Sequence, residues 1–420
     1  MKHPVITLIA ACICGFTAAM SCSVKPEGGR TVLFESGNKD SIPYRIPAIA
    51  ALPDGSLLAL TDYRHCRLDI GFGRVDIHAR RSPDSGRSWG GETVVIEVSG
   101  TEGATDCGFG DPAIVADRES GEILVMLVCG QTVYWKAETN RKNPNRIACI
   151  RSSDGGKTWS DWEEKTEDIY SLFDECRDGC VESCFIGSGR IFQSRQVKAG
   201  SHYRIYAAMC ARPNGNRVIY SDDLGQTWKA LGGADQLPAL YGNEPKCEEL
   251  PDGRVLLSSR AEGGRIFNIF DFTDIVSGEG TWGKPAFSCA ENNGCAALEN
   301  SCNGEILIIP AVRKADKAEV LIALQSVPLG PGRTNVGIYY REIPEDVQGI
   351  TPKSFASGWN TPYQVSADES AYSTMVPLKN GSIGFYFEET LKDSGTGYDK
   401  VYTELSLETI TGGLYGPARR

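Results

Sequence analysis

Ser152-Ser153-Asp154-Gly155-Gly156-Lys157-Thr158-Trp159 is the stretch whose reading decides the fold. The same order of side chains returns at Ser82-Pro83-Asp84-Ser85-Gly86-Arg87-Ser88-Trp89 and at Ser221-Asp222-Asp223-Leu224-Gly225-Gln226-Thr227-Trp228. In each copy an Asp two residues after a Ser can accept hydrogen bonds from turn amides, a Gly permits positive φ, and a Trp closes the segment as a plug between strands. Such a segment stiffens a hairpin and carries no chemistry of its own. Weaker copies end at Trp282 and Trp359.

Around these segments a second pattern recurs, a turn dipeptide ending in Gly followed by an aliphatic, β-branched run. It occurs at Asp54-Gly55, Ser120-Gly121, Ser188-Gly189, Asp252-Gly253, Asn303-Gly304 and Asn380-Gly381. Dipeptides of this kind between extended runs mark β-hairpins. The glycines are 66, 68, 64, 51 and 77 residues apart. Six units of this length, each holding several short strands, predict an all-β protein, a six-bladed β-propeller. Helical periodicity is scarce, and the segment near Asp168 to Cys184 is the best candidate for a short helix.

The chain has 420 residues, with 43 Lys and Arg against 54 Asp and Glu, a formal net charge of −11. That balance argues against a nucleic-acid partner, which needs a basic face. An anionic substrate would have to be held by a local cluster of arginines working against the global field. At the N-terminus, Lys2 and His3 precede an apolar run from Val5 to Met20, too short to span a bilayer comfortably. This reads as an export signal. Ala19-Met20-Ser21-Cys22 resembles a bacterial lipobox, in which the cysteine is lipidated, and the polar residues after it read as a tether. An ordinary cleaved signal peptide is the simpler alternative. The expected organisation is a lipoprotein signal over 1–21, a tether over 22–30 and one propeller domain over 31–420. The expected location is the periplasm or surface of a bacterium, with the lipid as the only membrane contact and the protein a monomer.

Twelve of the 15 cysteines lie beyond Cys22, an even number that permits disulfides in an exported chain. Cys176, Cys180 and Cys184 repeat every four residues, but no His is near and a Cys-rich loop is the better reading than a metal site. No metal and no organic cofactor is implied.

Tyr44-Arg45-Ile46-Pro47, ahead of the first hairpin and upstream of three Asp-boxes (the Ser-to-Trp segments above), resembles the signature of the bacterial exo-α-sialidase (neuraminidase) family, glycoside hydrolase family 33. The resemblance covers the chain from about Thr31 to Leu407 and implies the six-bladed fold. It also implies a substrate, the terminal sialosides of glycoproteins, glycolipids and oligosaccharides. Sialic acid carries a carboxylate on its anomeric carbon, and arginine forks suit a carboxylate. By match to the family, Arg45, Arg265 and Arg333 form the carboxylate clamp, with Arg260 competing for the place of Arg265. An acidic nucleophile beside that carboxylate would be repelled, and a tyrosine activated by a glutamate avoids this. Tyr372, in Ser370-Ala371-Tyr372-Ser373-Thr374, matches the nucleophile, and Glu249 its proton acceptor, with Glu248 and Glu244 as alternatives. Asp69 matches the acid that protonates the leaving oxygen, with Asp76 as runner-up. Arg64 and Asp111 are expected on the hydroxyl and acetamido side of the ring, and Glu388 is expected to pair with Arg45. Trp135 reads either as a stacking surface for the aglycone or as core.

The implied activity is that of a retaining exo-α-sialidase acting through a tyrosyl-enzyme intermediate. A trans-sialidase, including the intramolecular kind, shares that chemistry. A non-catalytic sialic-acid-binding propeller would lack the Tyr, the Asp or the Glu, and none is lacking. Replacing Cys22 by Ser is expected to release the protein from the membrane fraction. Unchanged partitioning would refute the lipobox reading.

Overall fold

The computed structural model describes residues 29–37, 41–101, 104, 106–390 and 397–418. The leader, Cys22 and the rest of the tether up to residue 28 lie outside the described residues. Arg30, read as tether, already belongs to the folded body, where it donates to Glu389 at 3.0 Å.

Six sheets follow one another along the chain. The first blade is Tyr44–Ala51, Leu57–Tyr63, Asp76–Ser82 and Thr93–Ile96, each strand antiparallel to the one before. The second is built on Phe109–Ala116, Ile123–Cys129 and Arg146–Ser152, the third on Phe192–Ala199, His202–Arg212 and Gly215–Ser221. The fourth runs Pro245–Glu249, Val255–Ala261, Gly264–Asp274 and Glu279–Trp282. The fifth is built on Ile306–Arg313, Glu319–Pro328 and Val336–Glu342. The sixth takes Ser370–Pro377, Ile383–Glu389 and Asp399–Leu405 from the end of the chain and its outer strand, Thr31–Phe34, from the beginning. That pairing closes the ring of a six-bladed propeller.

The core lies between blades rather than inside any one of them. Six large hydrophobic clusters are each drawn from two neighbouring blades, and one of them joins the sixth to the first through Leu33, Phe34, Tyr386 and Tyr402 to Ile49 and Ala59. A strand covered on both faces needs apolar residues on both, so the alternation of a half-exposed sheet is lost. Ile123–Cys129 reads Ile-Leu-Val-Met-Leu-Val-Cys and is buried throughout. The continuous runs that mark the sequence have this origin.

Four of the six turn dipeptides do close an inner hairpin, those at Gly55, Gly121, Gly253 and Gly381, all with positive φ. The other two do not. Gly189 lies on a two-residue strand, Gly189–Arg190, parallel to Ala113 and Ile114 of the second blade, and the third blade turns instead at Gly200 and Ser201. Gly304 precedes the fifth blade's inner strand, and a Cβ there would fall 1.8 Å from the Ser326 carbonyl oxygen. It is glycine because two backbones touch, not because the chain reverses. The expected helix is short, Thr166–Tyr170 followed by a 3-10 turn over Ser171–Phe173. Cys184 is on the strand Ser183–Ile186. The twelve cysteines among the described residues are free thiols.

The three Asp-boxes are superimposable in their bonding. Asp84, Asp154 and Asp223 accept the backbone N–H of Ser88, Thr158 and Thr227 at 2.8–2.9 Å and the hydroxyl of the same residue at 2.6–2.7 Å. At Asp223 burial pushes the carboxyl up, but the bonds from Thr227 and Ser221 outweigh it and hold the group below the usual carboxylate range. Its contribution is therefore complete above the unfolded pKa and is lost as pH falls through the folded value. Asp223→Ala is expected to cost about 2 kcal/mol in urea denaturation at pH 7, with a smaller cost at pH 3.

Candidate active site

All the inner strands run the same way, from one face of the ring to the hairpins on the other. Residues eight or nine places before a hairpin dipeptide therefore share a level near the first face: Arg45, Asp111, Glu244 and Tyr372 stand 9, 9, 8 and 8 residues before Asp54, Ser120, Asp252 and Asn380. At three of these levels the inner strand is bulged, between Arg45 and Ala48, Gly110 and Ala113, and Ser370 and Ser373. Ile46 and Asp111 take φ of 59° and 51° there. The bulges break the alternation of the strand and aim side chains at the axis.

These residues line a cavity of about 330 Å³ together with Arg64, Asp69, Arg260 and Arg333. Tyr372 lines it too. Its hydroxyl donates to Glu244 Oε1 at 2.7 Å and accepts from Arg260 Nη1 at 3.1 Å. Arg260 Nη1 also reaches Glu244 Oε2 at 2.6 Å, so guanidinium, carboxylate and phenol form a closed triangle. The guanidinium groups of Arg45 and Arg333 lie 5.9 and 5.7 Å from the centre of the Tyr372 ring. Burial, and then the Glu244 charge, push the Tyr372 hydroxyl well above its ordinary value, so the resting phenol keeps its proton.

Arg45 is fixed from behind. Its Nε donates to Glu388 Oε1 at 2.9 Å and its Nη2 to Oε2 at 3.4 Å. Glu388 also accepts from the Ile46 amide at 2.8 Å and the Tyr372 amide at 3.1 Å, and Lys400 Nζ is 3.3 Å away. Burial pushes this carboxyl up, but Arg45 and Lys400 outweigh it and hold it far below the usual range.

Across the cavity, Arg64 gathers three carboxylates. It is 2.8 Å from Asp62, 3.1 Å from Asp69 and 3.6 Å from Asp111. Asp69 sits on the loop between the second and third strands of the first blade, with 56% of its side chain exposed at the mouth. Asp62 is buried and pushed up to about 6 by desolvation, partly offset by Arg64. Asp111 is pushed well up, first by burial and then by the charges of Asp62 and Asp69. Ile70, Val128, Val133, Tyr134 and Phe185 make an apolar wall on this side. Trp135 is not core: it is 62% exposed on the rim, its ring 6.4 Å from that of Phe72.

Two expected site residues are elsewhere. Glu249 lies at the other end of its strand, five residues and roughly 16 Å beyond Glu244. It accepts from the Ser194 hydroxyl and from the Arg195 amide at 2.8 Å, and it does not meet Tyr372. Glu244 occupies the place expected of it. Arg265 is directly opposite Arg260 in the ladder but on the third strand, one strand farther from the axis. Its side chain is fully buried on the Ser258 hydroxyl at 3.1 Å and the Ser258 and Cys302 carbonyls at 3.0 and 3.2 Å, so Arg260 faces the cavity in its stead. Asp76, the alternative to Asp69, is tied to Arg74 and His65 and does not line the cavity. The count back from the hairpin dipeptide, which separates Glu244 from Glu249, was available in the sequence. Nothing in the sequence pointed to Lys400.

No protein-family model matches the sequence. A curated sialidase of Micromonospora viridifaciens is 29% identical over 98% of this chain and 59% of its own length. Over nearly its whole length the chain is thus similar to bacterial sialidases. A sialidase of Paraclostridium sordellii is 23% identical over 82% of both proteins. Among solved structures, the Hadza microbial sialidase Hz136 superposes with a TM-score of 0.67 at 22% identity, over 88% of this chain and 66% of that one. The sialidase fold is thus shared across the ring, while the Micromonospora protein is longer than the part this chain matches.

The Glu388 contacts lead to a stability expectation that needs no substrate. Glu388→Gln leaves the half-buried Arg45 and the buried Lys400 without their counter-charge and is expected to cost about 3 kcal/mol at pH 7 by urea denaturation. The carboxyl's depressed value makes its contribution complete above the unfolded pKa and lost as pH falls. The gap between the two proteins should therefore narrow toward pH 3.

Proposed function

We propose that the protein is a retaining exo-α-sialidase that works through a tyrosyl-enzyme intermediate. The observation that carries this reading is the Tyr372 hydroxyl held between Glu244 and Arg260, beside Arg45 and Arg333, in one cavity. Three guanidinium groups converge where a sialic acid carboxylate would be clamped, and a neutral phenol avoids the repulsion that an acidic nucleophile would meet there. As the Tyr372 oxygen bonds to the anomeric carbon, its proton passes to Glu244 and Arg260 stabilises the developing phenolate charge. The bond from that carbon to the aglycone oxygen breaks, and Asp69 gives this oxygen its proton. Water then enters, loses a proton to Asp69 and displaces Tyr372, which recovers its own proton from Glu244. Two inversions give overall retention. Asp69 at the mouth suits a group that meets first the leaving oxygen and then water.

The substrates in this reading are terminal sialosides of glycoproteins, glycolipids and oligosaccharides. The cavity takes the sialic acid, while Trp135 and Phe72 border the exit through which the aglycone leaves. The protein works as an exported lipoprotein anchored through Cys22. Proton NMR of the protein with sialyllactose is the direct test, and the α-anomer of free sialic acid should appear first. Early β-anomer would overturn retention, and an anhydro or transferred product would assign a trans-sialidase. Tyr372→Phe is expected to lower kcat by about a thousandfold or more and Glu244→Gln by about a hundredfold or more. Glu249→Gln should stay within about threefold of the parent, because no proton it accepts lies on the reaction path. Asp69→Ala should slow sialyllactose far more than an activated aryl sialoside, since acid assistance matters less for a good leaving group.

A further inference from the structure

Lys400 is fully buried on the third strand of the sixth blade and has no access to the cavity. Its ammonium group has three acceptors around it: the carbonyls of Tyr44 at 2.8 Å and Tyr398 at 2.7 Å, and Glu388 Oε1 at 3.3 Å. Those two carbonyls seat the charge against one oxygen of the carboxylate that holds Arg45. We propose that Lys400 is a positioning residue for the sialoside carboxylate, acting through Glu388 to leave the charge of Arg45 available to the substrate. This rests on the sialidase reading of the site.

The argument is one of charge. A pair of Arg45 and Glu388 alone is neutral, and a substrate carboxylate arriving at Arg45 would feel the Glu388 carboxylate directly behind it. With Lys400 added, the trio carries a net positive charge, and Glu388 orients Arg45 without cancelling it. Four arginines (45, 64, 260 and 333) face Asp69, Asp111 and Glu244 around the cavity, with Asp62 and Glu388 behind them. Lys400 adds one positive charge to this set, directly behind the carboxylate that holds Arg45. Interactions across a desolvated site are weakly screened, so a charge one residue removed from the ligand still counts.

The lysine is also poised to report on itself. Burial pushes its ammonium down to about 8, with Glu388 opposing the shift and Arg45 adding to it. Below that value Lys400 is charged, and above it the charge is lost. The other groups facing it are Arg45 and Tyr44 on the first blade, Glu388 on the neighbouring strand, and Tyr398 and Asp399 beside it. Arg45, Tyr44 and Tyr398 are shifted up and Glu388 far down, away from this range. Lys246, pushed to about 8 by its own burial, bonds the Gly187 carbonyl and not Glu388.

The test is Lys400→Met, followed by Michaelis kinetics on sialyllactose and by calorimetric binding of N-acetylneuraminate. At pH 7 both KM and Kd should rise about tenfold or more, with kcat within about threefold of the parent. In the parent protein KM and Kd should climb between pH 7 and 9, and in the variant they should stay flat over that range. A folded variant with unchanged KM and Kd, or one in which kcat falls as far as KM rises, would overturn the proposal. Should the variant not fold, Lys400→Arg, which keeps the charge, takes its place: Kd for N-acetylneuraminate should stay near the parent's at pH 7 and remain flat to pH 9, and a Kd that climbs there as in the parent would overturn the proposal. Failure of the parent to turn over any sialoside would instead count against the sialidase reading, while the calorimetric arm would still read the effect of Lys400.

Discussion

Glu388 accepts hydrogen bonds from Arg45 and the Ile46 amide on the first blade and from the Tyr372 amide on the sixth, with Lys400 at its back. Those two blades meet at the seam where the ring closes. An unpaired carboxylate in that place would be very costly, and four donors around it make the seam stable only in one geometry. The same carboxylate thus joins the ends of the chain's path and sets two of the residues that meet the proposed substrate. Both the Arg45 side chain and the Tyr372 backbone are aligned by one buried group, so errors in the seam and errors in the site are the same errors.

The remaining members of the cavity are held by comparable means on a smaller scale. Arg64 draws Asp62, Asp69 and Asp111 together, and Glu244 links Arg260 to Tyr372. Each carboxylate is therefore close to a guanidinium, and the one that projects to the mouth, Asp69, comes from a loop rather than an inner strand. A rigid floor made of strands and an exposed acid on a loop is a division of labour that suits a group which, in the proposed mechanism, meets two different oxygens in turn.

Much of this was legible in the sequence, for a physical reason. Propeller blades repeat their turn chemistry, and the Asp-boxes and hairpin dipeptides give the count of blades even though Gly189 lies on a short strand and Gly304 serves close packing. Arg45, Arg64, Asp69, Asp111, Arg333, Tyr372 and Glu388 carry recognisable neighbours and come together at one end of the axis. Glu249 and Arg265 did not, because each has a near neighbour of the same chemistry. In the first case the choice depends on which end of a strand faces the cavity, and in the second on how many strands separate the residue from the axis. Lys400 left no mark at all. Its role depends on two backbone carbonyls and a carboxylate that only the closed ring assembles.

The outer strand of the sixth blade has a consequence for how the chain reaches its final state. Thr31 pairs with Tyr402, so the first of the described strands finds its partner only when the sixth blade has been made. Every inter-blade cluster except the one at that seam can form from neighbours in sequence. The last must be won against the largest loop the chain can make, at a cost that grows only logarithmically with its length. Five blades without the sixth would leave two apolar faces bare to water. Folding is therefore expected to be cooperative at its final step and slow for its size, with the open ring as the species most prone to aggregate.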